Sequence, residues 1–307
     1  MILTVCPNPC IDCTLELEKF NVGRLNRIEN KIERWAGKAL NAAVGVARLN
    51  HQVKTTGFMF ETGGRRCMQY LANEGVSASF VWSRGHVRIN YKIIDSKSMM
   101  TEINDRGANV SKEKQAELIR VIGEMSKDAQ ITIISGSLPS GVADDYYGKM
   151  VGASNKTSKV IVDCESEKML CALSQGVFMA KPNLNELEAV NKESYTNFKD
   201  MVKGCYKLID RGAKTVLLSL GKDGAILTDG TNAFYSKSEN VAVNSTVGAG
   251  DSMVAGVAVA IEKGAGIEEM LRCGVAAGTA SVTTPGSNLF YKDKYKEIYD
   301  KITTTRL

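Results

Sequence analysis

The chain contains very little histidine, with only His51 and His86 among its 307 residues. Enzymes built on a Ser-His-Asp or Cys-His arrangement need a histidine to carry the proton, so this scarcity disfavours both classes. Cys6, Cys10 and Cys13 lie close together, but no fourth cysteine or histidine accompanies them. Because a structural zinc site takes four ligands, we interpret these cysteines as small buried thiols.

The chain also lacks a long apolar run. The longest, residues 253–261, is far shorter than the roughly 20 residues that a membrane-spanning helix requires. The first residues lack the basic start and small-residue cleavage site of a signal peptide. The 8 cysteines are too dilute for a disulfide scaffold. These absences predict a cytoplasmic protein that does not interact with membranes.

Runs of basic residues interleaved with aromatics are absent too. The net charge is only +5 and is spread along the chain, which disfavours nucleic acid as a partner and is compatible with small anionic ligands. Hydrophobic residues make up 44% and charged residues 24%, as in ordinary globular proteins. The length fits one large α/β domain with a small appendage, or two ordinary domains.

The second half of the chain alternates short apolar runs with amphipathic stretches. Residues 131–135, 160–163, 177–181 and 215–219 are β-branched-rich and continuously apolar, as expected for strands buried on both faces. Helical patterns lie between and after them, at 112–127, 146–155, 186–191, 198–211, 250–263 and 267–281. This spacing predicts a mainly parallel sheet flanked by helices on both faces.

Two stretches depart from this rhythm by alternating polar and apolar residues. They are 12–35 and 86–104, and alternation of this kind indicates exposed antiparallel strands. We expect helical core sequence between them and a small discontinuous β-sheet that projects as a lid or as a subunit contact. The predicted division is therefore a core of residues 1–11, 36–85 and 105–307, with 12–35 and 86–104 as the lid.

The segment 244–256, NSTVGAGDSMVAG, concentrates features of an anion-binding turn. Gly248, Ala249 and Gly250 permit a tight turn with exposed N–H groups, and the helix that follows adds its positive dipole end. Asp251 stands where it could accept a proton from a hydroxyl that attacks a phosphate. Aspartate is also a favoured helix cap, so from these residues alone both interpretations stay open. The segment matches neither a Walker A loop nor Gly-x-Gly-x-x-Gly.

This segment resembles the C-terminal signature of the phosphofructokinase B (ribokinase-like) sugar kinases. Other fragments follow in that family's order across nearly the whole chain, and the NPCID, RIN, TEIN and GSLP pieces are most similar to the branch containing 1-phosphofructokinase and tagatose-6-phosphate kinase. The fragments are NPCID at 8–12, AGKALN at 36–41, TGF at 56–58, RIN at 88–90, TEIN at 101–104, GSLP at 136–139, KPN at 181–183 with Glu186, and SLG at 219–221 with GA at 224–225. The resemblance implies a ribokinase-like α/β fold with a β-sheet lid.

The resemblance also implies phosphoryl transfer from ATP, with Mg²⁺, to a sugar-phosphate hydroxyl. Asp251 would be the general base, and the amides of Gly248, Ala249 and Gly250 would stabilise the transferred phosphoryl group. Nucleotide binding is carried over to Lys181, Asn183, Ser219, Gly221, Gly224 and Thr246, and the metal to Asn183 and Glu186. From the residues alone, Asn183 and Glu186 are better explained as the first turn of a helix after Pro182.

For the sugar, the resemblance implies five binding residues, which are Asp12, Gly37, Lys38, Asn41 and Arg88. Lys38 and Arg88 would meet phosphate, and Arg27 and Lys92 are weaker candidates of the same kind.

Several positions depart from the family pattern. Ala36 and Ala39 replace two glycines of the sugar motif, and a methyl group would be unfavourable there if the backbone needs positive φ. The stretch 163–167, DCESE, replaces the usual Asp-[Ser/Thr]-Ser-Gly, and Arg65 and Arg66 add charge at a predicted helix start.

The resemblance favours a kinase of ketohexose phosphates, with fructose 1-phosphate as acceptor and fructose 1,6-bisphosphate as product. Tagatose 6-phosphate, fructose 6-phosphate or another sugar is the alternative acceptor. An NAD-dependent oxidoreductase would share the predicted sheet, but this sequence lacks the dinucleotide-binding fingerprint of that class. A non-catalytic sugar-phosphate sensor is the third hypothesis, with Ala36 and Ala39 in its favour. The exposed lid strands could pair between subunits as a homodimer.

Overall fold

The computed structural model describes residues 1–97, 99–154, 156–284 and 288–307. Ser98, in the predicted lid stretch 86–104, and Asn155, at the end of a predicted helix, lie outside the described residues, as do residues 285–287. In chain order, the described strands are β1 (Ile2–Cys6), β2 (Cys10–Leu17), β3 (Asn30–Ala36), β4 (Val53–Thr62), β5 (Ser77–Ala78), β6 (Val81–His86), β7 (Arg88–Asp95), β8 (Met100–Asn104), β9 (Ile131–Ser135), β10 (Lys159–Asp163), β11 (Val177–Ala180), β12 (Ala213–Ser219), β13 (Ala225–Thr228), β14 (Ala233–Ser236) and β15 (Thr305–Arg306).

Ten α-helices cover these strands in the described ranges, and two short 3₁₀ turns follow at Ser126–Asp128 and Gly221–Asp223. The helices are α1 (Lys38–Arg48), α2 (Gly64–Asn73), α3 (Lys112–Met125), α4 (Tyr146–Ala153), α5 (Ser166–Leu173), α6 (Leu184–Asn191), α7 (Phe198–Asp210), α8 (Ala249–Glu262), α9 (Ile267–Val282) and α10 (Lys292–Tyr299).

The large sheet has the order β15-β14-β13-β12-β11-β10-β9-β1-β4-β5, and β6 also pairs with β4. Strands from β12 to β5 run parallel, while β13, β14 and β15 add an antiparallel edge. The central strands β1 and β9 are buried along their whole length, which explains their continuous apolar sequences.

The helices pack in two groups, apart from α2, which packs against β4 and β5. Helices α1, α8, α9 and α10 contact one another and β1, β4, β13 and β14, whereas α3 to α7 form a chain of neighbours against β4, β6 and β10 to β13. Apolar residues from both groups and from the sheet form one hydrophobic core. Seven of the eight cysteines are buried and Cys171 is half-buried.

A second sheet of four strands, in the order β3-β2-β7-β8, stands beside the large one. We call these four strands the lid sheet. β2 pairs antiparallel with β3, and β7 pairs antiparallel with β8, but β2 and β7 run parallel. The expectation of antiparallel strands is therefore confirmed for two of the three pairings and wrong for β2 and β7. The reason is topological: β2 follows β1 and β7 follows β6, and both preceding strands run in the same direction in the large sheet.

The expectation of helical core sequence between the lid stretches was also wrong in part. Besides α1 and α2, this stretch contributes β4, β5 and β6 to the large sheet. β4 has the sequence VKTTGFMFET, and its β-branched and aromatic residues suit a pleated surface. The buried Thr55 hydroxyl accepts a hydrogen bond from Thr4 of β1 at 2.8 Å, so this polar side chain is satisfied inside the sheet.

Candidate active site

A cavity of about 1010 Å³ lies between the lid sheet and the carboxyl ends of the parallel strands. Crevices at this end of parallel α/β sheets are the usual ligand sites. All of the sequence-predicted site residues except Gly224 line it, namely Asp12, Gly37, Lys38, Asn41, Arg88, Lys181, Asn183, Glu186, Ser219, Gly221, Thr246, Gly248, Ala249, Gly250 and Asp251. Segments far apart in the sequence thus converge on one cavity.

Asp251 lies in the first turn of α8, which begins after the left-handed residue Gly248. Its side chain is buried, and the amide of Asn41 donates a hydrogen bond to Oδ2 at 2.7 Å. Burial raises the pKa of Asp251 to about 6, and the nearby Asp163 charge adds to this, while Lys38, Asn41 and Lys181 oppose it. A carboxylate with such a pKa is suited to accept a proton near neutral pH.

At the helix start beside Asp251, the amide groups that were predicted to bind an anion are not equally available. No side chain caps α8, and the first amides of a helix have no partner within the helix. However, the N–H of Ala249 donates to the carbonyl oxygen of Thr246 at 3.3 Å. An anion at this position would therefore meet the amide of Gly250 more readily than that of Ala249.

Asp163 holds two of the predicted cations together. Its Oδ1 lies 3.0 Å from Lys38 Nζ and 3.4 Å from Lys181 Nζ, and its side chain is only 1% exposed. Burial alone would raise the pKa of Asp163, but the ammonium groups of Lys181 and Lys38 hold it below its usual range. Asp163 in turn raises the pKa of Lys38. Sequence analysis noted Asp163 only as part of an unusual stretch and missed this role.

Asn183 and Glu186 form a capping box at the start of α6. The Asn183 side chain accepts from the backbone of Glu186 at 2.9 Å, and Glu186 Oε2 accepts from the backbone of Asn183 at 2.8 Å. This is the first-turn interpretation that the residues alone favoured. Both residues also line the cavity, so the cap does not remove them from a ligand's reach.

The remaining nucleotide candidates surround the loop after β12. Ser219 pairs with Asn183 in an isolated bridge, and Gly221 lines the cavity. Gly224 lies outside the cavity lining, because it begins the turn into β13. A Cβ there would lie 1.9 Å from the carbonyl oxygen of Ser236, so Gly224 is required for the close approach of two chains.

The lid sheet places Asp12 at the opposite end of the cavity. Asp12 Oδ2 accepts from Lys92 Nζ at 2.7 Å, and Oδ1 accepts from Asn90 at 3.3 Å and from the Cys10 thiol at 3.7 Å. Lys92 was a weaker candidate from sequence, and Asn90 and Cys10 were missed as neighbours of Asp12. Arg27, Arg65 and Arg66 are exposed and do not line the cavity.

Arg88 lines the cavity, but its guanidinium is largely engaged. It donates to the carbonyl oxygens of Asn8 and Asp105 and to the side chain of Asn90, at 3.0–3.4 Å. Asn8, which sequence analysis did not single out, donates to the backbone of Arg106 and Leu138 and to Ser137. Together they tie the chain segments that enter and leave the lid sheet to the core.

The backbone conformations explain the two alanines of the sugar motif. Gly37 has φ of 136°, whereas neither Ala36 nor Ala39 is among the positive-φ residues of the described chain. Both alanines are buried. The glycine that this turn needs is therefore present, and the two methyl groups fit within the core. Ser166, by contrast, has φ of 39° where the family pattern has glycine.

The described residues contain no group of three or more His, Cys, Asp or Glu side chains arranged to hold a metal ion. None of the helices in the described ranges is both long and apolar enough to cross a bilayer.

A parallel α/β sheet with a lid sheet, and a buried aspartate at a glycine-rich helix start, define a sugar kinase of the ribokinase-like class. The model of the pfkB family carbohydrate kinases matches residues 5–294, and the chain belongs to this family. The predicted family, fold and enzyme class are thereby confirmed, and the oxidoreductase hypothesis is discarded.

Curated relatives and solved structures agree with this assignment. The 1-phosphofructokinase of Bacillus subtilis is 30% identical over 100% of both chains. The D-tagatose-1-phosphate kinase of Bacillus licheniformis is 32% identical over 93% of this chain and 94% of its own. The structure of phosphofructokinase-2 from Escherichia coli in complex with potassium superimposes with a TM-score of 0.91 at 28% identity, covering 98% of each chain.

Proposed function

We propose that the protein transfers a phosphoryl group from ATP to a hydroxyl of a ketohexose phosphate, with fructose 1-phosphate as the favoured acceptor and fructose 1,6-bisphosphate as the product. The end-to-end similarity to a protein named 1-phosphofructokinase supports this acceptor. Tagatose phosphates and fructose 6-phosphate are the alternatives, and they differ from it in the sugar or in the end that carries the existing phosphate.

The observation that carries the proposal is the environment of Asp251. Its carboxylate is buried at a helix start, holds a hydrogen bond from Asn41, and has a pKa raised to about 6 by burial. At neutral pH it is mostly ionised and accepts the proton of the attacking hydroxyl. Asn41 keeps one carboxylate oxygen in place, so the other is free to face the acceptor.

Lys38 and Lys181 supply positive charge beside this carboxylate. Phosphoryl transfer depends mainly on positioning and on neutralising charge on the transferred group. Their shared partner Asp163, at the end of β10, holds the ammonium groups of Lys38, at the start of α1, and of Lys181, directly after β11. Lys38 is the more exposed of the two, with 36% of its side chain accessible against 5% for Lys181, so Lys38 is the cation that reaches toward the transferred phosphoryl group.

The donor set near α6 fits Mg²⁺. Glu186 uses only Oε2 in the capping box, which leaves its second carboxylate oxygen for a ligand. Mg²⁺ prefers oxygen ligands and keeps several waters, so one or two carboxylates suffice. When bound with ATP, the ion would neutralise phosphate charge. Asn183 and Glu186 are the residues that would hold it.

The lid sheet supports the proposal of a homodimer. Several apolar side chains on it and its connecting loops are exposed, and β8 is exposed along its length. An unpaired edge of this kind invites pairing with another chain. The exposed apolar residues of this region are Val22, Leu25, Ile28, Tyr91, Met99, Met100 and Ile103.

The free thiols are in keeping with a reducing, cytoplasmic compartment.

The test is a coupled ADP-release assay with MgATP and separate acceptors. These are fructose 1-phosphate, fructose 6-phosphate, tagatose 1-phosphate, tagatose 6-phosphate and the unphosphorylated ketohexoses. Asp251→Asn, purified in parallel, reports any contaminating kinase. We expect ADP release with a clear preference for one sugar phosphate. If ATP binds but no acceptor stimulates ADP release, the proposal is wrong and the sensor hypothesis takes its place.

A further inference from the structure

The cations at the lid end of the cavity differ in how many donors they keep available. Arg88 donates four hydrogen bonds to carbonyl and amide oxygens, so only one of its five N–H donors is left. Lys38 is held at the other end by Asp163. Lys92, in the middle of β7, lines the cavity with a side chain that is only 10% exposed.

Some of the N–H donors of Lys92 have no partner among the described residues. A lysine ammonium carries three N–H donors, and within the described chain its only hydrogen-bond partner is Asp12 Oδ2, at 2.7 Å. Glu102 lies opposite Lys92 on β8 and also lines the cavity. It is exposed to solvent, and no ion pair joins it to Lys92 among the described residues. The remaining donors of Lys92 are therefore unmatched by protein.

Asp12 is nearly saturated by comparison. A carboxylate offers about four lone-pair sites, and those of Asp12 face Lys92, Asn90 and Cys10. One site is left for a sugar hydroxyl. The ion pair thus presents one acceptor and two adjacent donors toward the cavity, which matches a hydroxyl next to a phosphate oxygen.

From this geometry we propose that Lys92 binds the phosphate that the acceptor already carries, and so determines that the site prefers a phosphorylated ketohexose to the free sugar. The inference rests on the proposed function. Lys92 brings positive charge into a pocket where Asp12 alone would repel a phosphate dianion. Because both side chains are buried at this sheet, the charge acts at short range with little screening by salt.

The experiment separates phosphate recognition from the support that Lys92 gives to Asp12. Replacing Lys92 alone would leave a buried carboxylate without its counter-ion, which can destabilise the fold. The comparison is therefore Asp12→Asn against the double variant Asp12→Asn with Lys92→Met. Lys31→Met is the control, because Lys31 lies on the same lid sheet in an exposed pair with Glu33 and does not line the cavity.

We expect the double variant to show kcat/KM for the phosphorylated ketohexose roughly 10- to 100-fold below that of Asp12→Asn, as befits lost hydrogen bonds to a charged group. The loss should fall on KM. With the unphosphorylated ketohexose at high concentration the two variants should match, and Lys31→Met should behave as wild type. Equal losses for both acceptors, or no loss for either, would overturn the inference.

A binding measurement keeps this result independent of turnover. Titration calorimetry with fructose 1-phosphate and without ATP should show the same loss between the two variants. If the wild type binds the sugar phosphate but does not phosphorylate it, the proposed function fails while the inference stands. If the sugar phosphate binds both variants equally, the inference fails whatever the turnover.

Discussion

Among single residues, Asp251 gives the sharpest prediction. Asp251→Asn keeps the size of the side chain and can keep its hydrogen bond to Asn41, but it cannot accept a proton. We expect kcat to fall roughly 100- to 10,000-fold while ATP still binds. Steady-state kinetics and a nucleotide-binding assay measure the two effects. A loss of less than tenfold would mean that Asp251 is not the general base and only holds the amide of Asn41.

The same carboxylate predicts a dependence on pH. Because burial raises the pKa of Asp251 to about 6, kcat/KM of the wild type should fall as pH drops through about 6. The effect of pH on stability is opposite. Because the pKa of this carboxyl is higher in the folded than in the unfolded state, its contribution to stability is fully present below the unfolded pKa. That contribution is lost as the pH rises through the folded pKa. Asp251→Asn should therefore be more stable than wild type at pH 8, by about 3 kcal/mol, and not at pH 4. Urea unfolding at both pH values measures this.

Some contacts between single residues could not be predicted from the sequence. The motif around Asp251 could be found because all its parts are contiguous. Asp163 and Lys38 form an ion pair across 125 positions, and no local pattern of charge announces such a pair. Similarly, Asp12 and Lys92 meet only because β2 and β7 align in parallel register. Their pairing depends on the tertiary fold rather than on neighbouring residues.

At the level of elements, Glu186 is assigned two roles at the start of α6, one in the capping box and one in holding Mg²⁺. Glu186→Gln retains a side chain that can complete the capping box but removes the charge that would hold Mg²⁺. We expect stability to stay within about 0.5 kcal/mol of wild type, while the Mg²⁺ concentration for half-maximal activity rises roughly tenfold. Glu186→Ala is the comparison that loses both roles. Unchanged Mg²⁺ dependence in Glu186→Gln would leave Glu186 as a cap alone.

Elements were predictable where burial follows a simple pattern along the sequence. β9 matches the predicted stretch 131–135, and α7 runs through Phe198–Asp210 against a predicted 198–211, because continuous apolar runs and a single apolar stripe are strong local signals. The β13–β14 hairpin was not predicted. Its strands have only four residues each, too few to establish a period, and they are stabilised by pairing with β12 and β15.

For the whole molecule, the exposed apolar residues of the lid sheet predict a dimer. Light scattering at micromolar concentration should give about twice the chain mass of 33.3 kDa. Ile103→Asp places a charge on β8, where the side chain is 52% exposed, and should shift the protein toward monomer. Leu307→Asp, at a residue 48% exposed far from the lid in sequence, is the matched control. A wild-type monomer under these conditions would refute the lid dimer.

The division of the cavity between two sheets has an evolutionary consequence. The carboxylate proposed to accept the proton, Asp251, lies on α8 in the large core. Asp12 and Lys92, which we assign to a sugar hydroxyl and to the existing phosphate, lie on β2 and β7 of the lid sheet. Substitutions on the lid sheet can therefore change which sugar phosphate such an enzyme accepts, while the residues proposed for phosphoryl transfer stay the same. For a laboratory seeking a kinase for a new sugar, a small library on β2, β7 and β8 is the place to begin.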